Sequence, residues 1–148
     1  MKAVIQKSGR ASVEIDGKIN GEIKSGLVVL LGITNDDNEK DIDYIAEKIC
    51  NLRLFPTNEK YFEESIAETS KEILLISQFT LYASCKKGRR PDFAKAAKPE
   101  IAEPLYEKFI EALREKGMSV QTGIFGAMMK VSLENQGPVT IILDSREK

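Results

Sequence analysis

The chain opens with apolar and polar residues in alternation and later switches to a helical period. Lys2–Lys7 and Ser12–Ile15 alternate residue by residue, which predicts strands with one buried face. Asp16-Gly17 is a hairpin signal, and Lys18–Ile23 alternates again behind it. Ser25-Gly26 marks a turn into Leu27-Val28-Val29-Leu30-Leu31, an unbroken apolar run suited to a strand covered on both faces. Ile42, Ile45, Ala46, Ile49 and Cys50 then repeat at helical spacing behind Asp36, Asp37 and Asn38, any of which can cap the helix. Arg53-Leu54-Phe55-Pro56 ends it, and the polar, irregular stretch 57–70 is expected to be a flexible surface segment. Glu72–Leu81 predicts a second buried strand. Pro99 opens a second helix with Ile101, Leu105, Phe109 and Leu113 as its stripe, stopped by Gly117. Three short strands are expected at the end: Ser119–Thr122, Met129–Leu133 and Val139–Leu143. The expectation is a single domain over 1–148 of α+β class: a curved, largely antiparallel, barrel-like sheet system with two main helices on one side, in β/β/α layers.

Composition changes this picture mainly by what it lacks. The chain has no histidine, so a Ser-His-Asp triad, a Cys-His dyad and an imidazole-held metal are impossible within it or a homo-oligomer of it. Proton chemistry must then come from lysine, a carboxylate or the substrate. The acidic residues Asp36, Asp37, Asp41 and Asp43 read as favourable charge at a helix start, and no metal or cofactor is expected. With a net charge of −1 a broad DNA-binding surface is not expected either. Charge is uneven, however. Lys86, Lys87, Arg89 and Arg90 lie close together and read either as a solvated loop or as a small patch for phosphates. No membrane span is expected, and Met1–Lys7 turns polar too soon for a secretory signal, so a cytoplasmic location is the expectation. Cys50, on the apolar face of the first helix, reads as a buried reduced thiol.

Two segments join an apolar strand to small polar residues: Ser77-Gln78-Phe79-Thr80-Leu81 and Asn135-Gln136-Gly137-Pro138-Val139-Thr140. If the first is extended throughout, Gln78 and Thr80 share one face and Ser77 looks to the opposite, apolar side. Thr80 is then the better placed hydroxyl, although threonine is also an ordinary strand former. Gly137-Pro138 reads as a turn, or as a cis peptide whose two neighbouring carbonyls could hold an ammonium group.

In these two motifs the chain resembles the D-aminoacyl-tRNA deacylases. Gln6, Arg10-Ala11-Ser12-Val13, Gly26–Gly32, Arg89-Arg90-Pro91 and Gln121-Thr122-Gly123 support the likeness, which runs nearly end to end. Members often carry arginine at the position of Lys7, and lysine lacks its rigid fork of donors. The resemblance implies a homodimer with active sites at the interface, acting on the 3′ end of aminoacyl-tRNA. It implies that Phe79 and Thr80 form the catalytic segment, that Ser77 and Gln78 bind substrate beside it, and that Gly137 and Pro138 enter from the other chain. It also implies a cis Gly-Pro gate that rejects L-aminoacyl groups, action on glycyl-tRNA(Ala), and catalysis assisted by the tRNA 2′-hydroxyl. The alternatives are a sister deacylase acting on an L-aminoacyl-tRNA and a non-catalytic RNA-end binding module.

Overall fold

Strand β1 (Lys2–Ile15) organises the sheet. One of its edges pairs antiparallel with β8 (Lys130–Asp144). The other pairs first with β3 (Gly26–Gly32) and then with β2 (Lys18–Ile23), again antiparallel. Beyond β3 come β6 (Glu72–Ser77) and β7 (Ser119–Thr122), both parallel. Parallel neighbours need a crossover, and α1 (Glu39–Asn51) and α2 (Pro99–Glu115) supply the two. The Asn20 side chain donates to the Thr122 carbonyl at 2.8 Å, so β2 leans back on β7 and the sheet nearly closes. A computed structural model describes residues 1–147 in this arrangement. The expected α+β, barrel-like, largely antiparallel layout with both helices on one side holds.

Period-2 alternation divides the core. Leu27, Val29 and Leu31 pack beneath the helices with Ile45, Ile49, Tyr106 and Phe109. Val28 points the other way, into the barrel, with Val13, Ile23 and Leu74. That is why residues 27–31 carry no polar side chain. β1 serves both layers by changing phase. From Ser8 to Ala11 it advances three residues while β8 advances two, from Asn135 to Leu133. This bulge at Gly9-Arg10 turns Ala11 and Val13 inward, whereas Ala3 and Ile5 face the helices.

The structure corrects four expectations. β1 is one bulged strand rather than two pieces, and β8 likewise joins the two expected C-terminal strands. The buried stripe of α2 is Ala102, Tyr106, Phe109 and Leu113, while Ile101 is exposed. Small Ala102 lets the helix approach closely, and rotation brings the Tyr106 hydroxyl 2.9 Å from the Leu75 carbonyl. Stretch 57–70 contains a two-residue strand, β5 (Glu64–Ser65), paired to β4 (Arg53–Phe55), and a 3₁₀ turn that buries Ile66. Finally, Asn38 caps α1 in a capping box with Asp41, but Asp37 is no mere helix-start charge. Buried Asp37 pairs with the Met1 ammonium and, at 3.0 Å, with Arg146, while Ser145 accepts from the same ammonium at 2.7 Å. Cys50 is buried as expected, and burial pushes its thiol up to about 11.

Candidate active site

β6 ends where its partner ends. Ser77 pairs with Leu31, Gln78 N donates to the Leu31 carbonyl at 2.7 Å, and β3 stops one residue later. With no backbone left to pair with, Phe79–Tyr82 coils into a 3₁₀ turn. The strand expected through Leu81 therefore stops at Ser77. Gly32 lets the turn close over the sheet, since a Cβ there would sit 2.9 Å from the Leu81 Cβ and 3.1 Å from the Gln78 carbonyl oxygen. Ser77 shares its face with Ile73 and Leu75, on the helix side, as the alternation predicts. Gln78 Nε2 donates to Thr80 Oγ1, so these side chains meet through the turn and not along a strand face.

Any helical segment leaves its first N–H groups without internal partners. Here the N–H groups of Phe79 and Thr80 have no hydrogen-bond partner among the described residues, while those of Leu81 and Ala83 bond back to Gln78 and Thr80. Both Phe79 and Thr80 are exposed. Phe93 braces the turn from outside, its ring meeting Phe79 edge-on at 5.0 Å and 66°. Sequence reading missed Phe93, and the signal was a lone aromatic in the basic segment 83–98. Tyr82 closes the turn beneath the Lys2 ammonium, 5.4 Å from its ring centre. Burial, reinforced by the Asp37 and Asp144 carboxylates, pushes its phenol far up, which leaves it neutral and poorly suited to acid-base work.

The second motif is neither a hairpin nor a loop between two strands. Between Gln6 and Ser8, β1 advances two residues while β8 advances five, from Thr140 to Asn135. Residues 136–139 therefore bulge from the ladder opposite Lys7. Asn135 staples the base, with Nδ2 donating to Thr140 Oγ1 at 3.0 Å and Oδ1 accepting from Val139 N at 3.2 Å. Gln6 Nε2 adds a bond to the same hydroxyl at 3.3 Å. Gly137 and Pro138 are exposed, the bond between them is cis, and Gly137 adopts φ +117°. An alanine Cβ there would meet the Val139 Cγ2 at 2.7 Å.

The two motifs do not meet within one chain. Ser77 lies level with Ala3 through Leu31, whereas the bulge lies level with Lys7. Three strand spacings across and four residues along separate them by about 20 Å. The structure thus brings Ser77, Gln78, Phe79 and Thr80 together and leaves Gly137 and Pro138 apart from them.

The sequence model of the D-Tyr-tRNA(Tyr) deacylase family matches residues 4–144, almost the whole described chain. This chain belongs to that family. A D-aminoacyl-tRNA deacylase of Thermus aquaticus is 54% identical over 148 residues, covering 100% of this chain and 97% of that protein. One from Aquifex aeolicus (strain VF5) is 53% identical, covering 99% of each. Among solved structures, one named c-Myc DNA Unwinding Element Binding Protein superposes with a TM-score of 0.91 at 42% identity, covering 97% of this chain and 98% of its own. A probable eukaryotic D-amino acid tRNA deacylase superposes at 0.82 with 17% identity, covering 96% and 97%, which is a likeness of fold. Among the described residues, no helix is long and apolar enough to cross a membrane.

Proposed function

We propose that this chain is a hydrolase that cleaves the ester of D-aminoacyl-tRNA, releasing free D-amino acid and intact tRNA. The observation that carries the reading is the pair of N–H groups without a partner among the described residues, at the exposed residues Phe79 and Thr80, within a family match over residues 4–144. Attack of water on the ester carbonyl places negative charge on its oxygen, and two fixed N–H donors stabilise that charge without reorganisation. The C–O bond to the 3′ oxygen then breaks, and that oxygen takes up a proton. The neighbouring 2′-hydroxyl of the terminal ribose assists the proton transfers, as the family resemblance implies, and the absence of histidine agrees with that. The Thr80 hydroxyl accepts from Gln78, and in this reading it positions the turn rather than attacking the ester.

Chirality is read by a second copy of the chain. About 20 Å separates the two motifs within a protomer, so Gly137 and Pro138 serve this site when a partner presents them. Their carbonyls receive the substrate's α-ammonium, and an L side chain collides where a D side chain turns away. Glycine has nothing to collide, so glycyl-tRNA(Ala) is also hydrolysed. The dimer surface lies over the row Ile142, Val4 and Leu30, which runs across three strands and ends in an Ile142 that is 72% exposed. A cytoplasmic location goes with this reading, as do the free thiols Cys50 and Cys85.

Deacylation of matched D-, L- and glycyl-tRNA tests the proposal: rapid loss of the D and glycyl esters with the L ester intact is expected. Hydrolysis of the L ester at the same rate would overturn the gate. A D-aminoacyl ester on a 2′-deoxy terminal ribose should turn over roughly 10²- to 10⁴-fold more slowly, the usual weight of general acid-base assistance. A second reading, a nucleic-acid binding module without turnover, has the name of one solved relative in its favour. Absence of any ester hydrolysis together with tight DNA binding would establish it instead.

A further inference from the structure

Directly after Thr80 the chain from Leu81 to Cys85 forms the wall of a cavity of about 340 Å³, within the size range of small-ligand sites. Its charged lining is all of one sign: Lys2, Lys86 and Lys95. Lys86 and Lys95 have no ion-pair partner among the described residues. Lys2 is held loosely, 3.5 Å from Asp144 and 5.4 Å from the Tyr82 ring centre. Lys86 and Lys95 bring two uncompensated positive charges to the hollow and Lys2 a third that Asp144 partly offsets, and a phosphate, with several acceptor oxygens, suits such a set best.

The hollow is also built. Ser84 and Asp92 exchange backbone hydrogen bonds at 2.7 and 2.9 Å, so the basic segment between them stands as a short hairpin with Lys86 near its root. The Thr34 hydroxyl donates to the Lys95 carbonyl at 2.5 Å, and Ala97 N donates to the Ile33 carbonyl at 2.9 Å, fixing the opposite rim. Phe93, at the foot of the hairpin, rests on Phe79. The backbone that bears Lys86 and Lys95 is thereby set in a fixed relation to the turn at Phe79–Tyr82.

We propose that this cavity seats a phosphodiester of the single-stranded 3′ end of tRNA, immediately upstream of the esterified ribose. The inference rests on the deacylase reading: with the ester carbonyl at Phe79 and Thr80, the next charged group along the nucleic acid is a backbone phosphate, and the next cationic surface along the protein is this hollow. The site reads chain polarity and length rather than sequence, because each nucleotide offers the same phosphate. It separates charged tRNA from free aminoacyl esters that lack one.

The test compares two substrates, D-tyrosyl-tRNA and the D-tyrosyl ester of adenosine, which carries no phosphate. In the double variant Lys86→Ala/Lys95→Ala, kcat/KM on the tRNA should fall roughly tenfold or more, chiefly through KM. The salt dependence of that KM should flatten by about one unit per lysine. The loss should be confined to the phosphate-bearing substrate, and Lys86→Arg/Lys95→Arg should restore most of it. Equal losses on both substrates, or none on tRNA, would overturn the site. If the wild-type protein hydrolyses neither substrate, it is the deacylase reading that falls. Salt titration of uncharged tRNA binding then reads the cavity by itself, and identical slopes for wild type and variant would refute it.

Discussion

The turn at Phe79–Tyr82 and the bulge at residues 136–139 both interrupt a strand, and they do so for opposite reasons. The turn forms because β6 runs out of partner at Gly32, which leaves room for it, and it is then braced by Phe93 against Phe79 and by the Lys2 ammonium over the Tyr82 ring. The bulge forms although its partner continues, because β8 has more residues than β1 can match between Gln6 and Ser8. Its base is stapled by Asn135, but its tip at Gly137-Pro138 is exposed. One segment is finished by its own chain. The other is presented outward, and a surface so presented is understandable when its complement lies on another molecule.

Substitution at the shared surface should break this contrast most severely. Ile142→Glu puts a charge on an exposed row, so the protomer should fold while the dimer dissociates in sedimentation. Turnover of D-aminoacyl-tRNA should drop roughly 10²-fold or more, as it does when a positioning group is lost. A monomeric variant with full activity would show that the bulge serves no partner. Gly137→Ala should come next. At φ +117° a Cβ is strained and meets Val139, so the bulge must move, and D-ester kcat/KM should fall roughly tenfold to a hundredfold with dimerisation retained.

On the braced side, Thr80→Ala should lower kcat by about tenfold or less, because its hydroxyl positions rather than attacks. A loss of ~10⁴-fold with folding intact would make it a nucleophile after all. Tyr106→Phe removes the bond to the Leu75 carbonyl beneath the turn. It should cost about 1 kcal/mol, seen as a fall in Tm of roughly 2–4 °C.

The smallest effect is acidic. Burial opposes the charged form of Asp41, but bonds from Ser145 and the Asn38 amide, with the Met1 ammonium and Arg146 nearby, hold its carboxyl below the ordinary 3.8. Its contribution is therefore complete above the unfolded value and is lost as pH falls through the lower folded one. Chemical denaturation from pH 7 to 3 should show an acid limb that Asp41→Asn makes shallower.

Sequence pattern revealed the elements whose periodicity is local. β2, β7, α1 and the buried run 27–31 stand where alternation and helical spacing set them. What it missed depends on distant partners. The end of β6 is dictated by the end of β3, and the fusion of Met129–Leu133 with Val139–Leu143 by the continuous β1 alongside. The α2 stripe shifted by one position because Ala102 and Tyr106 carry weak apolar signals, yet fit close packing and a buried hydrogen bond. Residue identities in the two motifs were legible at once. Their mutual distance was not, since it follows from strand order and register, which no local pattern encodes.

The ladder between β1 and β8 joins Lys2 to Asp144 and Glu14 to Lys130. A ribosome adding about 5–20 residues per second makes the first of these strands many seconds before the last. Throughout that interval the edge of β1 that β8 will pair has no neighbour. The growing chain therefore spends most of its synthesis with an unpaired sheet edge, the kind of surface on which chains stick to one another. Pairings of such long sequence separation are the kind that slow folding, whereas either helix can form from local contacts.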